Sequence, residues 1–189
     1  MPDVAKALWT PTGESIANSR MNRFAQMVNE SGDLHAWSIN QPEQFWSLVW
    51  DDCGVVGHKG ERSFLAAQPG SPMSTAQFFP DARISVVENM LATTGSHDAL
   101  VAIDEVGNRR TRSWDELRER VASIASALQA RGVAAGDRVA AWLPNSIEAI
   151  EVMLGAASIG AVFSSSSPDF GTNGVLDRFG QIAPKVLFA

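Results

Sequence analysis

The sequence contains no tyrosine and a single cysteine, Cys53. One thiol cannot close an intramolecular disulfide, and with no second cysteine or nearby histidine pair the spacing of a zinc site is missing as well. A disulfide-stapled secreted framework and a structural zinc centre are both excluded, and a reducing, cytoplasmic setting is the expectation. Basic residues are scarce too: 15 Lys and Arg stand against 21 Asp and Glu, a net charge of −6. A nucleic-acid binder needs a basic footprint to meet phosphates, so no nucleic-acid partner is expected. The longest apolar stretch, 152–163, falls short of the roughly 18 residues that cross a bilayer. The start, Met1-Pro2-Asp3-Val4-Ala5-Lys6, lacks the basic region and apolar run of an export signal. Neither a membrane span nor export is expected. There is also no Gly-rich phosphate loop ending in Gly-Lys-Ser/Thr, no GxGxxG, no His-Glu-x-x-His and no GxSxG.

What is present is the composition of a folded chain, 45% hydrophobic and 19% charged, with apolar surface enough to offset the entropy of ordering. Residues 1–92 and 93–189 read differently, with loop punctuation at Thr93-Thr94-Gly95-Ser96 between them. Four of the six tryptophans, Trp9, Trp37, Trp46 and Trp50, fall in the first 50 residues. Asn40-Gln41-Pro42-Glu43 predicts a capped helix to about Asp52, with Phe45/Val49 and Trp46/Trp50 at four-residue spacing. Earlier and later helices are expected at 22–30, stopped by Gly32, and at 86–92. The second part alternates strand and helix. A run at 100–103, a turn at 105–108 and a return strand at 109–113 lead into a helix opened by the capping box Ser113-Trp114-Asp115-Glu116 and stopped by Gly132. Strands at 139–143, 160–163 and 185–189 enclose helices at 147–159 and 172–182. This α/β pattern implies a parallel sheet with right-handed crossovers, preceded by a helical and irregular cap segment. A buried strand at the last residues, with no helix to cover it, reads as a truncation inside a larger domain.

No catalytic constellation is visible. His35, His58 and His97 are scattered and read as ordinary surface or hydrogen-bonding residues. Cys53 reads either as a small buried hydrophobe or as a thiol activated by His58 and Lys59 downstream. The tryptophan cluster, flanked by Glu43, Asp51 and Asp52, reads as core or docking surface rather than a stacking platform for bases. The suggestive site is Ser164-Ser165-Ser166-Ser167-Pro168, which follows a strand and precedes a helix, where open α/β sheets place ligands. Its hydroxyls and amides are able to meet a phosphate, or simply to satisfy backbone groups and cap the next helix.

Several blocks carry a resemblance. They include Leu8-Trp9-Thr10-Pro11, Phe45-Trp46-Ser47-Leu48-Val49-Trp50-Asp51, Phe79-Pro80-Asp81-Ala82-Arg83, Gly136-Asp137-Arg138-Val139-Ala140 and Leu143-Pro144-Asn145. The most distinctive is the serine-Pro-Asp-Phe-Gly block that runs on through Gly174-Val175-Leu176-Asp177-Arg178-Phe179. On these residues the chain resembles the N-terminal region of the acetoacetate–CoA ligases of the acyl-adenylate-forming superfamily. That family tends to carry Trp and Cys where this chain has Phe163 and Ser166, and Asn where it has Ser85.

The resemblance implies that residues 1–92 are the cap segment of an acyl-CoA synthetase and 93–189 the first part of its AMP-binding domain. It implies a parent enzyme that uses ATP, Mg²⁺ and CoA to convert acetoacetate to acetoacetyl-CoA through an acyl-adenylate. No catalytic or metal residue is expected within these 189 residues, which alone are expected to be inactive and to hold no cofactor tightly. The expected partners are acetoacetate, the remainder of the adenylating domain and a C-terminal domain. Phe163, Ser164 and Ser165 are the expected CoA-side residues. An acetyl- or propionyl-CoA synthetase, or a non-catalytic truncated interaction module, are the alternatives.

Overall fold

The computed structural model describes residues 7–28 and 33–189. Met1 to Lys6 and Gly32 lie outside the described residues. Contacts divide the chain into two compact units, Met1–Arg83 and Ile84–Ala189.

Among its described residues the first unit holds four helices, α1 (Gly13–Ala17), α2 (Arg20–Met27), α3 (Leu34–Asn40) and α4 (Pro42–Asp52), and short strands β1 (Gly57–His58), β2 (Phe64–Leu65) and β3 (Gln77–Phe78); β4 (Arg83–Ile84) lies at its end. Side-chain caps start the first three helices. Thr12, Ser19 and Asp33 accept hydrogen bonds from the amides of Ser15, Asn22 and His35, each satisfying a donor with no partner inside its helix. The helix expected over 22–30 is α2, displaced toward the N-terminus because Ser19 is the better cap; residues 29 and 30 lie outside the described residues. The start of α4 differs from the expectation. Asn40 ends α3 instead of capping α4, and Gln41 sits between the helices with no side-chain cap bond. Its amide donates to the Trp37 carbonyl, and Pro42, which has no amide hydrogen to satisfy, starts α4 directly.

The four-residue aromatic spacing produces a relay of edge-on rings. Phe45 meets Phe24, Trp37 and Trp46 at centroid distances of 5.9, 6.0 and 5.1 Å, and Trp46 meets Phe78 at 5.0 Å. Trp37 and Trp50 are buried, so these two tryptophans are core; Trp9 is exposed. Cys53, just after α4, is exposed rather than a buried hydrophobe. The Lys59 ammonium downstream is engaged by Asp51 and the Ser47 carbonyl.

In the second unit α5 (Val86–Met90) is followed by β5 (Asp98–Ile103), β6 (Arg109–Ser113), α6 (Trp114–Ala130), β7 (Arg138–Trp142), α7 (Ile147–Ser158), β8 (Val162–Ser166), α8 (Gly171–Gly180) and β9 (Val186–Phe188). The capping box forms as the sequence predicts: the Glu116 amide donates to Ser113 Oγ, and the Ser113 amide donates to the Glu116 carboxylate. Helix α6 closes at Gly132, whose φ of 77° suits a residue without Cβ.

β7, β8 and β9 form a parallel sheet in the order β8-β7-β9. The central strand is buried on both faces, with Val139, Ala140 and Ala141 fully inaccessible, which is why it reads as an unbroken apolar run. Leu128, Val133, Val152 and Ala156 pack on one face of the sheet with Val139; Val175 and Phe179 of α8 pack with Ala140 on the other.

The strands at 98–113 form the expected strand, turn and return strand but do not join the parallel sheet. β5 and β6 pair only with each other, antiparallel, Ile103 opposite Arg109 and Val101 opposite Thr111. Ser113 ends β6 and caps α6 at once. α5 packs here as well: Val87 joins Leu117, Val121 and Leu154 in one cluster.

Helices α6 and α7 touch at Gly155. A Cβ at this position lies 2.5 Å from Ile124 Cγ2 and 2.9 Å from its Cβ, so the helices approach as closely as they do because no side chain intervenes. Alanine is the better helix former by about 1 kcal/mol, yet we expect Gly155→Ala to destabilise the protein by about 1–3 kcal/mol through overpacking. Calorimetry checks this. The Tm falls, and Ile124→Ala in the same chain recovers part of the loss; a raised Tm rejects the close contact.

Candidate functional site

At the carboxyl ends of β7 and β8 lies a cavity of about 720 Å³. Three segments wall it: the loop Leu143, Pro144, Asn145 and Ser146 after β7, the end of β8 with the turn that follows it, Ser165 to Asp169, and the hairpin turn between β5 and β6 with Asp104, Glu105, Asn108 and Arg110. The first two were legible, since open parallel sheets present their loops at this edge. The hairpin was not, because its place follows from tertiary contacts.

Those contacts are the packing of Ala99 and Leu100 on Leu117, Val121 and Leu154, and two ion pairs from β6 to α7. Arg112 Nε donates to Glu151 Oε1 at 2.8 Å, with only 18% and 6% of the two side chains exposed, and Arg110 pairs with Glu148. Residues two apart on a strand and three apart on a helix are each neighbours on one face, so the two pairs form in parallel. The turn itself is held by Asp104, whose carboxylate accepts hydrogen bonds from the amides of Val106 and Asn108 and from Asn108 Nδ2. The Asn108 side chain and these amides keep that carboxyl below its ordinary range.

The serine-loop residues divide. Phe163 leaves the site, packing against the core beside Val139. Ser164 is half-buried opposite Ala140 and does not line the cavity. Ser165 lines it and is exposed. Ser167 Oγ hydrogen-bonds Asp169 Oδ2 at 2.8 Å, and its carbonyl accepts from Trp142 Nε1 at 3.2 Å. Ser166 lines the cavity, is 7% exposed, and its Oγ has no hydrogen-bond partner. The three histidines are exposed, and none lines the cavity. Among the described residues no three His, Cys, Asp or Glu are placed to hold a metal ion, and no helix is long and apolar enough to cross a membrane.

The sequence model of the AMP-binding enzyme family matches residues 87–189, more than half of the chain. The chain belongs to the AMP-binding enzymes. The matched part contains the whole cavity. An acetoacetyl-coenzyme A synthetase of Rhizobium meliloti (strain 1021) is 46% identical over 96% of this chain and 29% of its own length. The solved structure of acetoacetyl-CoA synthetase from Streptomyces lividans matches with a TM-score of 0.78 and 36% identity, over 96% of this chain and 30% of that one. The Brucella canis acyl-CoA synthetase structure covers only 55% of this chain and 20% of its own, with a TM-score of 0.51 and 29% identity. The chain thus spans under a third of the length of the relatives it matches.

Two predictions follow from the ion pairs of this AMP-binding portion. Removing one member of a buried pair strands the other, so Glu151→Ala is expected to cost about 3–5 kcal/mol, and Arg112→Met with Glu151→Leu far less. Chemical denaturation of both variants measures it; equal losses contradict a buried, coupled pair. The hydrogen bond from Arg110 draws the Glu148 carboxyl down from 4.5 to about 2. A carboxyl lowered on folding stabilises above its unfolded value, and that contribution fades as pH drops from 4.5 toward 2. Wild type is therefore expected to melt higher than Glu148→Gln at neutral pH, with the gap closing across this acid window; a gap constant with pH contradicts the pairing.

Proposed function

We propose that the protein carrying this chain is an AMP-forming acetoacetate–CoA ligase, converting acetoacetate, ATP and CoA to acetoacetyl-CoA, AMP and pyrophosphate through an acyl-adenylate. The observation that carries this reading is the extent of the likeness. The Rhizobium meliloti and Streptomyces lividans proteins match through both units, whereas the general acyl-CoA synthetase fold matches little more than half of the chain. Residues 1–92 are read as the cap segment and 93–189 as the first part of the adenylate-forming domain, with α5 the piece of the former that packs into the latter. A cytoplasmic setting, acetoacetate as substrate, and work with the rest of the adenylating domain and a C-terminal domain belong to the same reading.

The residues present do not fit Mg²⁺ or a triphosphate: the described residues offer no metal cluster, and the chain has no phosphate-cradling glycine loop. Adenylation is therefore assigned outside this chain. The serine loop does fit a hydrogen-bonding part of CoA, because Ser166 brings a buried hydroxyl that the protein leaves unsatisfied. We place the CoA side at this loop, with Ser165 the member of the Phe163, Ser164 and Ser165 set that faces the cavity. Here the chain binds and orients; it moves no proton.

ATP–pyrophosphate exchange tests the reading. The full-length protein is expected to exchange with acetoacetate at least about tenfold more efficiently than with acetate or propionate, and residues 1–189 alone not at all. Equal exchange with acetate redirects the assignment to an acetyl-CoA synthetase; exchange by residues 1–189 overturns the placement of adenylation.

A further inference from the structure

Strand pairing between β7 and β8 ends with Trp142 opposite Ser166. Beyond that register the chain reverses through Ser167 and one tight turn, Pro168–Phe170, into α8. Bonds inside the reversal fix its shape. Ser167 Oγ accepts from the Asp169 amide and bonds Asp169 Oδ2, the Ser167 carbonyl accepts from the Phe170 amide, and the Pro168 carbonyl accepts from the Gly171 amide. All of these stay within residues 167–171, so they leave open where the turn stands on the sheet. The Arg178 guanidinium, 3.8 Å above the Phe170 ring, ties the turn to α8, the helix that follows it.

The tie to the sheet comes from Trp142, the last residue of the central strand. Its Nε1 donates to the Ser167 carbonyl at 3.2 Å, beside the Phe170 amide at 3.3 Å, so both lone pairs of that oxygen are in use. The ring that carries the donor is itself seated. It is half-buried and packs against the cluster of Ala140, Val175 and Phe179, on the face of the sheet that α8 covers. A ring held by packing aims its N–H in one direction, and the turn is thereby placed by a side chain of β7. Trp142 does not line the cavity, so whatever it does for a ligand it does through Ser167.

We propose that Trp142 is a positioning residue for the CoA step: by holding the Ser167 carbonyl it keeps the turn after β8 in place before CoA arrives, so that binding does not have to order it. The inference rests on the CoA ligase reading, which puts the CoA side at this turn, and adds the residue that presents it.

Trp142→Phe in the full-length protein tests this. The variant keeps a ring in the cluster and removes the donor, and the Phe170 amide still serves the Ser167 carbonyl, so no carbonyl is stranded. Amide hydrogen exchange of residues 167–171 is expected to accelerate, and the KM for CoA to rise about three- to tenfold, the weight of one net hydrogen bond. The kcat at saturating CoA and acetoacetate-dependent pyrophosphate exchange stay unchanged, the pattern of lost binding rather than lost chemistry. Gly155→Ala, which lowers the Tm from a site far along the chain, leaves the KM for CoA where it was. An equal rise in KM with Gly155→Ala makes the effect one of general stability and overturns the proposal. So does a loss of pyrophosphate exchange in step with the KM, which makes Trp142 a support of the whole domain. Unchanged amide exchange in the turn shows that the indole does not hold it, and an unchanged KM for CoA beside a loosened turn shows that its placement does not serve CoA; either overturns the proposal with the ligase reading intact. Wild-type protein that forms no thioester from CoA overturns both.

Discussion

The cavity depends on the buried pair between Arg112 and Glu151, because it ties a hairpin that belongs to no larger sheet onto the helix that crosses over the parallel one. Charge is an expensive tie, since both ions give up water. An apolar contact holds surfaces together without fixing which residues meet, whereas a hydrogen-bonded pair of opposite charges fixes a register. With Arg110 and Glu148 forming a second pair three residues earlier on α7, the hairpin turn is held beside the loops at the ends of β7 and β8. The cavity is the space those three segments enclose.

Beneath it the parallel sheet is built to stay rigid. Helices α6 and α7 meet through the bare backbone of Gly155, and Val139, Ala140 and Ala141 of the central strand are enclosed on both faces. A close-packed interior resists small displacements, so the loops at the strand ends inherit a fixed frame. The first unit solves the same problem differently. Its strands are two residues long, and order comes from capped helices and from aromatic rings that meet edge to face about Phe45 and Trp46. Rings hold one another's orientation through their charge distribution as well as their area.

The chemistry of the site follows from which polar groups are already used. Asp104 is spent on its own turn, Ser167 Oγ on Asp169, and the amides of Asp169 and Phe170 on Ser167. What remains is the Ser166 hydroxyl in an acidic surround.

Local rules acted on the sequence wherever a few neighbouring residues decide the outcome. The capping box at Ser113 and Glu116, the glycine stop at 132 and the buried run of β7 were legible because cap chemistry, positive φ and apolar periodicity are properties of short segments, whereas the strand expected to end at Phe163 runs on through Ser166. The likeness to acetoacetate–CoA ligases was legible in the same way, as blocks of residues. Choices between equally acceptable local partners were decided only by the tertiary structure. Asn40 is a good cap residue, yet it ends α3, and the break falls at Gln41 and Pro42, between Trp37 and Phe45 whose rings meet edge to face. Phe163 and Ser165 are two residues apart, yet one is core and the other faces the cavity, because that depends on what lies at each height along the strand. Arg112 and Glu151 are 39 residues apart, and nothing in either neighbourhood announces the other. Pairing across such a distance is settled by the packing of the helices and strands between them, which only the folded chain expresses.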